Sequence, residues 1–133
     1  MALARLGCAW LTFACAAAFF LSGCHRPTQS SPSVSINYEV APQPLQVGSA
    51  NIVLMLADVT MKPVTGARIT LEGNMSHAGM VPIFSDAKEV APGRYQANLD
   101  FAMAGDWVIL SHITLATGQK IEDKLNLKGV RPN

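Results

Sequence analysis

The sequence predicts an all-β domain, an antiparallel sandwich of about seven strands. Two observations predict this fold class. After residue 33, apolar and polar residues alternate in several short runs, which is the period of a half-buried strand. Segments that contain Gly or Pro separate these runs, and such segments favour turns. No 3.6-residue period typical of an amphipathic helix follows the N-terminal segment.

The strand signal occurs in seven runs. It is clearest at residues 95–101, where four apolar residues share one face and polar residues share the other. The other runs are residues 34–40, 52–57, 67–72, 81–90, 107–115 and 121–127. This number of short strands indicates an immunoglobulin-like shape, without the Cys…Trp…Cys signature of antibody domains. The aromatic residues expected in the core are Tyr38, Tyr95, Phe101 and Trp107.

The N-terminal segment has the features of an export signal. Residues 1–23 contain one early cation, Arg5, followed by an apolar stretch over residues 6–20 that is shorter than a membrane span. We therefore expect a signal-peptide helix. The tetrad Leu-Ser-Gly-Cys at 21–24 resembles the lipobox of bacterial lipoproteins, which implies that Cys24 is lipidated and anchors the chain to a membrane. Residue 25 is His rather than Asp, which in a Gram-negative host implies the outer membrane, facing the periplasm.

The predicted organisation has three parts: the signal peptide at 1–23, the lipidated cysteine with a flexible tether at 24–35, and the β-sandwich domain at 36–133. The tether is rich in Ser and Pro, a composition that buries little apolar surface. Apart from Cys24, the exported chain contains no cysteine. It therefore forms no internal disulfide and has neither a zinc–thiolate site nor a cysteine nucleophile.

Charge and motif content exclude several function classes. Arg5 is the only charged residue before Cys24, so nine basic and nine acidic side chains remain after it and the formal net charge is zero. Nucleic-acid binding, which needs a basic face, is not expected. An enzyme is not expected either. Ser76 and His77 are adjacent, which does not predict a nucleophile facing its base, and no third group is indicated.

One cluster contains side chains that can act as metal ligands. It is the Gly-rich segment 73–80, with Met75, His77 and Met80. Thioether sulfur is soft and favours Cu(I), and an imidazole adds a further ligand. The alternative is ordinary packing by both methionines and a solvated histidine. Met103 lies in the turn at 102–105 and could supply a further ligand if that turn shares an end of the sandwich with the cluster.

Four segments of the sequence, taken in order, resemble the YtkA-like/FixH-like domain family. The resemblance is an ordered set: Lys-Pro-Val-Thr-Gly-Ala at 62–67, the Met-rich loop at 75–80, Pro-Gly-Arg-Tyr at 92–95 and Met-Ala-Gly-Asp-Trp at 103–107. It implies an immunoglobulin-like sandwich outside the inner membrane and an association with metal traffic, since FixH-like proteins accompany assembly of copper-dependent oxidases. It puts Met75, His77 and Met80 in the family's Met/His loop and Met103 in its later turn. The lipobox, in place of a transmembrane anchor, departs from the FixH type.

Two functions therefore remain open. The first is an envelope lipoprotein that binds or buffers Cu(I) through Met75, His77, Met80 and Met103, in metal trafficking or resistance. The second is a metal-free protein-interaction module that assists assembly of an envelope or respiratory complex. The sequence identifies neither the envelope partner nor the oligomeric state.

Overall fold

A computed structural model describes residues 33–77 and 79–133, so the predicted signal peptide, Cys24 and most of the tether lie outside it. The described residues form seven strands: β1 (Val34–Ala41), β2 (Gly48–Asp58), β3 (Arg68–Met75), β4 (Ile83–Ala91), β5 (Arg94–Phe101), β6 (Gly105–Thr114) and β7 (Lys120–Val130). β1 begins inside the range assigned to the tether, since Val34 and Ser35 already pair with β2. In this part of the chain, no helix has the length and apolarity needed to cross a bilayer.

The strands pair in the order β1-β2-β5-β4-β3-β6-β7, and all neighbours are antiparallel. β4 belongs to both halves of the sheet. Its first part, residues 83–87, pairs with β3, and its last part, residues 88–91, pairs with β5 through an irregular register. The sheet therefore folds over at β4 into two facing layers, which confirms the predicted immunoglobulin-like antiparallel sandwich.

The two layers enclose one hydrophobic core. Alternate residues of each strand point inward, as the period of two predicts. The buried cluster draws on every strand except β4, and its largest fully buried members include Trp107, Tyr95, Phe101, Ile52, Leu54, Ile69 and Ile109. All of its residues lie between Val34 and Val130. A polypeptide of residues 30–133 therefore contains the complete core and is expected to fold on its own.

Tyr38 is the one predicted core aromatic that is only half-buried. Its hydroxyl donates to Asp123 Oδ2 at 2.8 Å and lies 3.0 Å from the Oγ of the fully buried Ser111. A phenol hydroxyl removed from solvent needs such partners. Ser111 lies on β6 and Asp123 on β7, so these contacts join edge strand β1 to the facing layer. Burial raises the pKa of Tyr38, which keeps the hydroxyl protonated as a donor.

The antiparallel register defines two ends of the sandwich. At the N-terminal end, Val34 pairs with Asp58 and Thr114 pairs with Lys120. At the opposite end, here called the distal end, lie the loops 42–47, 76–82 and 102–104. The eight residues of β1 run between the two ends and span about 25 Å. Loops that are remote in sequence, 76–82 and 102–104, are thus brought together.

Candidate metal centre

A pocket at the distal end gathers all four residues that the sequence analysis singled out as metal ligands. Met75, His77, Met80 and Met103 line it, and its volume is about 330 Å³. Gly79 and Ala104 complete the lining. Both lie in segments singled out from the sequence, the Gly-rich segment 73–80 and the turn 102–105, although neither was expected to be a ligand. Met103 lies on this pocket because β5 and β3 both end at the distal end.

Met75 is the last residue of β3 and pairs in register with Trp107 of β6. Its methyl group lies against Gly105, where an added Cβ would be only 3.1 Å from Met75 Cε. Met75 and Met80 are half-buried and pack against the core, while both also line the pocket. Each therefore serves packing, and each presents side-chain surface to the pocket.

The turn that carries Met103 is anchored by Trp107. The indole Nε1 donates to the carbonyl oxygen of Met103 at 3.1 Å. The indole ring is itself fixed edge-on against Phe101, with 5.1 Å between ring centroids. This fixed turn leaves the Met103 side chain half exposed at the pocket, where a thioether is accessible to a ligand.

His77 is exposed, and its imidazole lies close to the hydroxyl of Ser76. Ser76 Oγ lies 3.4 Å from His77 Nδ1 and 3.3 Å from the carbonyl oxygen of Asp106. The Ser76 amide donates to the same carbonyl at 3.2 Å. The adjacent Ser76 and His77 side chains thus do face each other, which the sequence analysis did not expect. Asp106 contributes its backbone oxygen here, while its carboxylate Oδ1 accepts from the Gly129 amide on β7.

The donor set of the pocket is soft and uncharged. Three thioether sulfurs and one imidazole suit Cu(I), whereas carboxylates and carbonyls suit Mg²⁺, Ca²⁺ or Mn²⁺. Within residues 33–77 and 79–133 there is no group of three or more His, Cys, Asp or Glu side chains arranged for a metal. The residues present fit a soft monovalent ion, in a pocket that is open to solvent.

A comparison with known protein families matches the part of the chain that contains the pocket residues. The sequence model described as YtkA-like matches residues 28–112, which include Met75, His77, Met80 and Met103. The chain belongs to the YtkA-like family. Among curated proteins, none matches this sequence.

Two solved structures are similar to the YtkA-like chain in fold. One is a superoxide reductase (neelaredoxin) from Ignicoccus hospitalis, with 12% identity and a TM-score of 0.46 over 74% of this chain and 80% of that one. The other is murine CRIg, with 8% identity and a TM-score of 0.41 over 74% of this chain and 98% of that one. Both similarities concern chain architecture alone.

The second histidine of the YtkA-like domain, His112, does not line the pocket. It lies on the outer face of β6, between two carboxylates. Its Nε2 is 2.8 Å from Glu72 Oε2, and its Nδ1 is 3.1 Å from Glu122 Oε1. His112 thus bridges carboxylates on β3 and β7 across β6.

The hydrogen bonds to Glu72 predict that part of the domain's stability is lost in acid. A hydrogen bond from Asn74 and then one from His112 hold the pKa of Glu72 below its ordinary value of 4.5, against an opposing effect of desolvation. A depressed carboxyl pKa stabilises the fold above the ordinary value, and this stabilisation is lost as the pH falls through the folded value. The Glu72→Gln variant should therefore be less stable than the wild type at neutral pH, and the difference should narrow below pH 4.5.

Urea denaturation of both proteins between about pH 7 and about pH 3 measures that difference. The control is Glu122→Gln, which removes the other, 70% exposed carboxylate from His112 and should change stability less at neutral pH. A difference between the Glu72→Gln variant and the wild type that is constant across this range would contradict the assignment.

Proposed function

We propose that this YtkA-like chain is an envelope lipoprotein that binds or buffers Cu(I), in metal trafficking or resistance. The observation that carries the proposal is the convergence of Met75, His77, Met80 and Met103 on one pocket. The ligands come from the end of β3, the loop 76–82 and the turn 102–104. Thioethers from separate elements, together with an imidazole, make a donor set suited to Cu(I).

Two of these side chains, Met103 and His77, are accessible to a metal ion from solution. Met103 is 50% exposed on a turn fixed by Trp107, and His77 is exposed. The lipoprotein part of the proposal depends on the lipobox-like tetrad that ends at Cys24.

The test is a Cu(I) competition titration of residues 30–133 against a chromophoric chelator. The wild type should bind one Cu(I) per chain. The Met75→Leu/Met80→Leu variant keeps the volume of both side chains, so it should fold but bind Cu(I) about 100-fold more weakly, which is about 2.8 kcal/mol. Binding unchanged in this variant would refute the assigned ligands.

Met61→Leu is the matched control. Met61 is 78% exposed in the loop that joins β2 to β3 at the N-terminal end, so it shares the chemistry of the pocket methionines without their position. Its replacement should leave Cu(I) affinity unchanged. A loss equal to that of the double variant would mean that thioethers bind the metal regardless of place, and the pocket would lose its role.

A second candidate function is a metal-free interaction module that assists assembly of an envelope or respiratory complex. Exposed apolar side chains near the distal end favour it, since Val81 is 82% and Phe84 63% exposed. The packing of Met75 and Met80 against the core is also compatible with it. A folded wild-type domain that does not bind Cu(I) would exclude the first function and leave this one.

A further inference from the structure

The contacts of Ser76 constrain which nitrogen of His77 can bind a metal. Among the residues that the structure describes, Ser76 Oγ has two hydrogen-bonding neighbours, the Asp106 carbonyl oxygen at 3.3 Å and His77 Nδ1 at 3.4 Å. A carbonyl oxygen only accepts hydrogen bonds, whereas a hydroxyl has one proton to donate and lone pairs to accept. The hydrogen-bonding pattern therefore depends on which of the two neighbours accepts the single hydroxyl proton of Ser76.

Two hydrogen-bonding patterns are available. If Ser76 donates to the Asp106 carbonyl, its oxygen can accept a proton from His77 Nδ1, and both contacts are hydrogen bonds. If Ser76 instead donates to Nδ1, the hydroxyl makes no bond to the carbonyl, and only one contact is satisfied. The first pattern makes one more hydrogen bond from the same atoms.

We propose that Ser76 is a positioning residue that holds His77 as the Nδ1–H tautomer and leaves the Nε2 lone pair free for the metal. The hydrogen bond of one ring nitrogen sets the nitrogen that can be metallated, which is a recurring feature of histidine ligands. The relay runs from His77 Nδ1 through Ser76 Oγ to the backbone of β6. It links the loop 76–82 to the strand that also anchors the Met103 turn.

The choice of Nε2 as the ligand atom depends on the proposed copper function, but the tautomer itself does not. Residues 30–133 contain two histidines, His77 and His112. Their ring nitrogens can be observed by two-bond ¹H–¹⁵N correlation in the metal-free protein, at about pH 8.5, where free imidazole is neutral. A His112→Asn variant assigns the two rings. A protonated and an unprotonated nitrogen have well-separated ¹⁵N shifts, so the spectrum identifies the tautomer directly.

We expect the Nδ1–H form of His77 in the wild type and in Ser76→Thr, which keeps the hydroxyl. In Ser76→Ala the ring should return to the mixture of a free imidazole, in which the Nε2–H form prevails. A wild-type ring mainly in the Nε2–H form, or a tautomer unchanged in Ser76→Ala, would overturn the proposal even if copper binds.

Metal binding gives the second readout. On addition of Cu(I), the largest ¹⁵N shift change of His77 should occur at Nε2, and Ser76→Ala should weaken binding by about tenfold with rescue in Ser76→Thr. A change centred on Nδ1 would refute the assignment of the ligand atom. If the wild type binds no Cu(I), the copper function fails while the tautomer result still decides the role of Ser76.

Discussion

Replacing Trp107 by alanine is expected to lower the free energy of unfolding by about 3–5 kcal/mol. The indole is 1% exposed, packs edge-on against Phe101 and donates to the Met103 carbonyl. Alanine would leave a cavity where the pocket-side end of β6 meets the core, and it would remove the bond that fixes the 102–104 turn. The loss therefore combines apolar burial, aromatic contact and a hydrogen bond.

Urea denaturation of residues 30–133 followed by far-ultraviolet circular dichroism measures the Trp107 effect. Trp107→Phe is the matched control, because it keeps an aromatic ring but lacks the indole N–H, and it should cost about 1–2 kcal/mol. A loss below about 1 kcal/mol in Trp107→Ala would show that the ring does not hold this end of the core.

Gly93→Ala is the second change expected to destabilise strongly, by about 2–5 kcal/mol. Gly93 forms the turn between β4 and β5 with φ of +71°, a conformation that disfavours any Cβ. A Cβ there would lie 2.6 Å from Pro63 Cβ and 2.8 Å from the carbonyl oxygen of Leu56. Neither atom can move easily. Pro63 Cβ belongs to the pyrrolidine ring, and the Leu56 carbonyl oxygen accepts a hydrogen bond from the Val64 amide.

Gly118→Ala separates the two contributions to the Gly93 effect. Gly118 also has a positive φ, +87°, but a Cβ there would meet nothing within 4 Å. Its replacement should cost only the backbone strain, about 1–2 kcal/mol. Thermal and urea unfolding of the two variants, compared with the wild type, give the difference. Equal losses would mean that the close approach of Pro63 and Leu56 contributes nothing.

Much of the fold could be predicted because alternation is a local signal. The run 95–101 corresponds to β5, and its four apolar residues are all buried. The continuous apolar run 52–57 was less informative, since periodicity cannot separate the two faces of such a strand. Met55, within this run, lies on the outer face with its sulfur 3.8 Å from Arg94 Nη1.

Pairing between distant segments could not be read from the sequence. Nothing in residues 81–90 shows that β4 joins β3 along its first part and β5 along its last. The same holds for Glu72 and Glu122, which contact His112 only because β3, β6 and β7 are neighbours in space. The cluster Met75, His77 and Met80 was visible since its members are close in sequence, whereas placing Met103 beside it required the register of β3 and β6.

The two ends of the sandwich have a practical consequence for purification tags. Val34 pairs with Asp58 about 25 Å from the pocket, the length of an eight-residue strand. Val130, in contrast, pairs with Gly105, whose backbone lies against Met75. A polyhistidine tag appended after Asn133 would begin at the same end of the sandwich as the thioethers and could supply competing imidazoles to any metal. An N-terminal tag instead attaches to the end of the sandwich opposite to the pocket.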